Sequence, residues 1–200
     1  PETYLARVHA LDYSALDFLP RVGIRWPPRA AEEAVRREYL EMHERLAARG
    51  DQALIDMPVM DDAVCIATMD LLTELFPAAY AVDRHLLGLV LLRMTNLSLE
   101  KGNCESSGVA YSALNMVLGP QFADYTTAFT LGQLACDLVD LRGMDRFRAR
   151  VYSCFAAFTM PWIKHIPLCE PLMTRAFRVG SAMGDKAFAA GTDIAQFRDF

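Results

Sequence analysis

The stretch Leu97–Gly108, LSLEKGNCESSG, carries one thiol, three hydroxyls, one lysine and two glycines. It reads in two ways: as a catalytic loop or phosphate cradle, or as a joint between two helices. A phosphate-binding G-x-x-x-x-G-K-[ST] loop places its lysine directly after the second glycine. Here Gly108 is followed by Val109-Ala110. A G-x-S-x-G elbow needs glycines two residues either side of the serine. Ser106 has Cys104 and Gly108 there. Cys104 could act as a nucleophile only with a histidine brought to it by the fold. His9, His43, His85 and His165 are scattered and form no motif. The joint explains more of the residues. Gly102 suits the left-handed position after a helix. Asn103 or Ser106 can cap the next helix, and Glu105 favours its N-terminal dipole.

Working outward, helical spacing dominates and strand signals are scarce. An amphipathic helix is expected from Pro28 to Arg49, with Gly50 as its stop. Another follows the capping pair Asp61-Asp62 and runs to about Phe76, before Pro77. A third runs from about Ala81 to Lys101. Downstream a period emerges. Gly102, Gly143 and Gly184 are 41 residues apart, as are Pro120 and Pro161, and Tyr111 and Tyr152. Leu97, Leu138 and Val179 share that spacing on an apolar face. Each unit reads as turn, helix, proline break, helix, glycine stop. Two helices in roughly 40 residues is the tetratricopeptide size range. The expectation is an all-α fold: a tetratricopeptide-like helical repeat (α-solenoid) of about seven to nine helices in antiparallel pairs. Residues 1–60 form an N-terminal helical segment, and 61–200 the array. The chain opens on Pro1, and Phe200 falls inside a helix starting near Lys186. A piece of a longer protein is therefore expected, cut in mid-repeat.

Composition narrows the function. The chain has 200 residues, is 53% hydrophobic, and has a net charge of −5. An acidic balance argues against a nucleic-acid partner, which needs a basic face. Five cysteines without a C-x-x-C pair read as free thiols of a cytoplasmic protein. No signal peptide and no membrane span is expected. His165 and Cys169 are too few ligands for structural zinc, and Pro167 lies between them. No metal or cofactor is expected in this segment. The candidate interaction surface comprises the basic cluster Arg142, Arg146, Arg148 and Arg150, together with Tyr111 and Trp162.

A family resemblance rests on the joint LSL-x-x-GN…S…AY at Leu97–Tyr111 and on Pro161-Trp162. It rests also on AF-x-x-G-x-x-x-GD-x-x-(F/Y)A at Ala176–Ala189 and on DMPVMDDAVCIATMDLL at Asp56–Leu72. From about Asp12 onward the chain resembles the helical region of large bacterial signalling ATPases. In that family a protein-kinase-like domain and an AAA-type ATPase precede the tetratricopeptide-like helices. A GAF domain and a histidine kinase commonly follow. Asp62 stands where the family tends to carry proline. The resemblance implies ATP for an upstream domain and assigns no catalytic residue here.

The expected role is therefore a non-catalytic interaction and coupling module in two-component signal transduction. It would dock a protein, a peptide or neighbouring domains of the same chain. A small-ligand sensor, with an apolar pocket closed by Trp162, Tyr111 and methionines, is the alternative. A stand-alone enzyme using Cys104 is a distant third. Oligomeric state is left open.

Overall fold

The computed structural model describes residues 19–22, 24, 26, 32–49 and 53–183. All regular structure among them is helical, and an isolated bridge pairs Val59 with Asn103. Contacts divide the chain into two compact units, parting between Ser106 and Ser107.

In the first unit, helices α1 (Glu32–Arg49) and α2 (Ala63–Val82) both pack on α3 (Arg84–Lys101). Every residue from Leu87 to Leu99 except Arg93 is buried. A helix apolar on all sides needs partners on all sides, and α1 and α2 supply them. Asp62 caps α2 as the sequence implies, accepting from the Val64 and Cys65 N–H groups at 2.8 and 3.0 Å. The expected stop before Pro77 is not observed, because α2 continues through it to Val82. Proline removes one helical hydrogen bond, but Leu75, Phe76, Ala78 and Ala79 around it are all buried and hold the helix together. The break comes at Asp83, which ends α2 and caps α3 through the His85 and Leu86 N–H groups. Gly50 lies outside the described residues.

One polar contact between α1 and α3 is partly buried. Asn96 Nδ2 donates to the Glu38 carbonyl at 2.9 Å and to Glu38 Oε2 at 2.8 Å. Burial pushes the Glu38 carboxyl above its ordinary value, against the pull of Asn96 and Arg93. A raised folded-state pKa gives stability that is complete below the unfolded value and is lost as pH rises through the folded one. Glu38→Gln keeps an acceptor for Asn96 and removes the charge. It is expected to melt with the wild type below pH 4.5, and increasingly above it as pH rises towards neutrality. A variant less stable at pH 7 would mean that Arg93 and Arg37 outweigh the burial.

After Lys101 the chain turns back on itself. Gly102 has φ 103° and donates to Ser98 O. Asn103 donates its N–H to Pro58 O at 2.9 Å, accepts from Met60 N–H at 2.8 Å, and donates Nδ2 to Leu54 O at 3.0 Å. Its amide thus ties down the 54–60 segment, and Ser106 Oγ donates to Asp70 at 2.8 Å. These side-chain bonds of Asn103 and Ser106 each reach back to an earlier element.

In the second unit, α4 (Ser107–Ala113) packs on α6 (Tyr125–Arg142) and on α7 (Arg148–Cys154). α5 (Asn115–Phe122) packs on α6, and α7 on α8 (Glu170–Met183). Pro120 lies inside α5 rather than breaking it; the stop is Ala123, left-handed at φ 55°. Pro161, by contrast, lies in a short 3₁₀ turn, Met160–Trp162. The seven-residue helices α4 and α7 begin 41 residues apart, and Tyr111 and Tyr152 on them are both fully buried. The glycines differ. A β-carbon on Gly102 would lie 2.3 Å from Pro58 O, whereas Gly143, at φ 70°, has nothing within 4 Å. Gly184 lies outside the described residues.

Candidate interaction surface

The site grows from the end of α7. From Phe155 to Thr159 the helix widens into a π turn. Such turns insert a residue, shift the backbone out of register, and recur at functional sites. Three contacts hold this one. Asn115 Nδ2 donates to Phe158 O at 2.7 Å, and Thr159 Oγ1 to Ser112 O at 3.1 Å. The Phe155 ring lies against Gly132, where a β-carbon would approach it to 2.3 Å.

The chain then makes the 3₁₀ turn Met160–Trp162 and a second one, Ile166–Leu168, each containing a proline. Trp162 stacks on Tyr125, with centroids 5.2 Å apart and planes 23° from parallel. Tyr125 in turn fits against Gly119, where a β-carbon would come within 2.7 Å of its ring. Lys164 Nζ lies 5.4 Å over the ring of Phe129, one helical turn beyond Tyr125 on α6. Every residue from Trp162 to Leu168 is exposed. Trp162 is 61% exposed, Ile163 44%, Ile166 52% and Leu168 58%. Four large apolar side chains are thus exposed within seven residues, on a segment that carries two prolines.

The other sequence candidates fall elsewhere. Tyr111 is fully buried in α4 and lines no exposed surface, which corrects the expectation for it. Arg146 and Arg150 place their guanidinium groups 4.6 and 5.3 Å from the Phe147 ring centre. Arg148 bonds Asp145 at 2.7 Å, and Arg142 is the exposed last residue of α6. Two of the four arginines thus flank Phe147, and Asp145 partly neutralises a third, Arg148.

Among the described residues, burial raises the thiols of Cys65, Cys136, Cys154 and Cys169 above their ordinary value. Cys104 is buried in the joint. Burial pushes the Cys136 and Cys154 thiols up to about 12. Cys169 is buried with its Sγ 3.9 Å from the His165 carbonyl. Among the described residues, no three His, Cys, Asp or Glu side chains gather as a metal site. A cleft of about 670 Å³ on α1 is lined by Glu33, Arg36, Arg37, Leu40, Glu41, Glu44 and Arg45, a mostly charged wall. One described helical segment, Ala63–Ala81, is long and apolar enough to cross a membrane. It is 44% buried in the protein and carries Asp70 and Glu74, so it makes no clear span.

No protein-family model, curated protein or solved structure matches the chain.

Trp162 was legible from sequence; Tyr125, Ile163, Ile166 and Leu168 were not singled out. The signal for them was Pro161-x5-Pro167, which excludes a long helix from an otherwise apolar run.

Proposed function

We propose that this chain is a non-catalytic interaction and coupling module of a bacterial signalling ATPase, and that it docks a protein partner on the Trp162 ledge. The observation that carries the proposal is the succession of exposed apolar residues, Trp162 to Leu168, on a backbone stiffened by two prolines and braced by Asn115 and Thr159. A large aromatic held in one place without a fold-level need is the usual anchor of an interface. The 41-residue correspondence of α4 with α7, and of their buried tyrosines, supports a tetratricopeptide-like repeat behind it. ATP chemistry would belong to other domains of the parent molecule.

The test is photo-crosslinking from position 166 in the native protein, with position 64 as the control. Val64 is 60% exposed and lies in the other unit. A protein adduct that forms from 166 and not from 64 is expected. Equal yields from both positions, or none from 166, would remove the ledge as a docking site.

A further inference from the structure

The end of α7 is one residue out of step with an ordinary helix. In an α-helix each N–H donates to the carbonyl four residues back. Met160 N–H donates instead to Phe155 O, five residues back. The turn thus takes in one extra residue. Everything beyond it is displaced by about 100° around the helix axis from where an α-helix would carry it. Phe158 O, which an α-helix offers to the N–H of residue 162, accepts from Asn115 Nδ2 at 2.7 Å. Trp162 then comes to rest on Tyr125.

The two ends of the turn are held differently. At its start the Phe155 ring lies against Gly132 of α6 and 5.4 Å from the Phe129 ring, contacts that packing alone maintains. At its end two polar bonds hold it, from Asn115 to Phe158 O and from Thr159 to Ser112 O. The Asn115 bond carries a cost. Asn115 is 2% exposed, and its Oδ1 has no hydrogen-bond partner among the described residues. A buried acceptor left unpaired destabilises the arrangement that buries it. One side chain therefore both favours this register and opposes it, which brings the alternative register close in energy. The same side chain adjoins the Trp162 support. A β-carbon on Gly119 would meet Asn115 Oδ1 at 2.9 Å and the Tyr125 ring at 2.7 Å.

We propose that the π turn is a two-position latch. With Asn115 and Thr159 bonded, the extra residue is held in the turn and Trp162 lies on Tyr125. With those bonds released, α7 runs on in α register through Thr159 and carries Trp162 off the Tyr125 ring. The exposed segment that begins at Trp162 is redirected with it. The latch does not depend on what docks there.

The indole N–H resonance of Trp162 reads the position. Trp26→Phe leaves Trp162 as the sole tryptophan, and Tyr125→Leu in that background supplies the unstacked chemical shift. Asn115→Leu removes the donor and the unpaired oxygen together. It is expected to move the resonance most of the way to the unstacked value, with an unchanged far-ultraviolet circular dichroism spectrum. Thr159→Val loses only the hydroxyl bond and is expected to move it part of the way in the same direction. Deleting Ala157 takes the extra residue out, so that α7 reaches Trp162 in α register without turning it. In that background the resonance is expected to keep its stacked value, and Asn115→Leu is expected to leave it there.

An Asn115→Leu protein that is folded and keeps the stacked shift overturns the latch. So does a deletion protein whose tryptophan is unstacked, or one in which it still follows residue 115. Where one of these variants does not fold, Thr159→Val decides: a stacked shift overturns the latch, and a partial move supports it. Crosslinking from position 166 is read separately, so the latch and the docking reading can each fail alone.

Discussion

Gly102→Ala is expected to cost the first unit about 4 kcal/mol or more, enough to approach the whole stability of a small unit. Gly143→Ala is expected to cost about 1 kcal/mol. Both glycines end a long helix at positive φ, and they are identical as sequence signals. They differ in what surrounds them. At φ 103° and ψ 171°, Gly102 occupies a conformation that side chains rarely adopt. A β-carbon there would lie 2.3 Å from Pro58 O and 3.0 Å from Pro58 C. That backbone cannot withdraw cheaply, because Pro58 O accepts from Asn103 N–H and Asn103 O accepts from Met60 N–H. Gly143 has φ 70° and ψ 21°, the ordinary left-handed well, with open space around it. Denaturant midpoints at unchanged slope would measure both losses. Equal losses would mean that the two glycines are interchangeable stops and that the contact with the 58–60 segment contributes nothing.

The same contrast shows what the chain discloses before it folds. Helical periodicity, the Asp62 cap and the glycine ends of α3 and α6 are local properties, and they were legible. The proline positions were misleading at Pro77 and Pro120. A proline's cost of about 3 kcal/mol is local, whereas burial of its neighbours, which offsets that cost, depends on helices far away in sequence. Asp83 was invisible as a boundary for a related reason. One residue that ends one helix and caps the next leaves no loop to notice.

The candidate surface was half legible. Trp162 stood out as an aromatic beside a proline. Tyr111 carried an equal signal and proved to be core, because residue type cannot tell which side of a helix the packing covers. The π turn that aims the ledge has no signature in spacing. It depends on Asn115 reaching Phe158 O and on Gly132 admitting the Phe155 ring, contacts between residues 23 to 43 positions apart.

Tyr152→Phe is expected to cost the second unit about 2 kcal/mol, and Tyr152→Ala about 4 kcal/mol. The hydroxyl donates to Asp140 Oδ1 at 2.5 Å, and Arg175 binds both Asp140 oxygens at 2.7 and 3.0 Å while lying 4.5 Å over the Tyr152 ring. One carboxylate therefore joins α6, α7 and α8. The cost for Phe is set by a bond to a charged acceptor, the stronger class. The larger cost for Ala adds the cavity left by a fully buried ring. The pH dependence follows from opposing shifts. Burial raises the Asp140 carboxyl, but the bonds from Tyr152 and Arg175 outweigh it and hold the group below its ordinary 3.8. A depressed folded-state pKa gives stability that is complete above the unfolded value and is lost as pH falls through the folded one. The difference between wild type and Tyr152→Phe should therefore persist at neutral pH and shrink as pH falls below 3.8. Burial and Asp140 together raise the Tyr152 phenol above its ordinary 10.0, so on the alkaline side its contribution holds up to that pH and is lost above it. Melting temperatures of Tyr152→Phe, Asp140→Asn and the double variant would measure the coupling. If the two single losses simply add, the tyrosine and the aspartate act independently. The bond would then not be what fastens α7 to its neighbours, and packing of the ring alone would have to carry the joint.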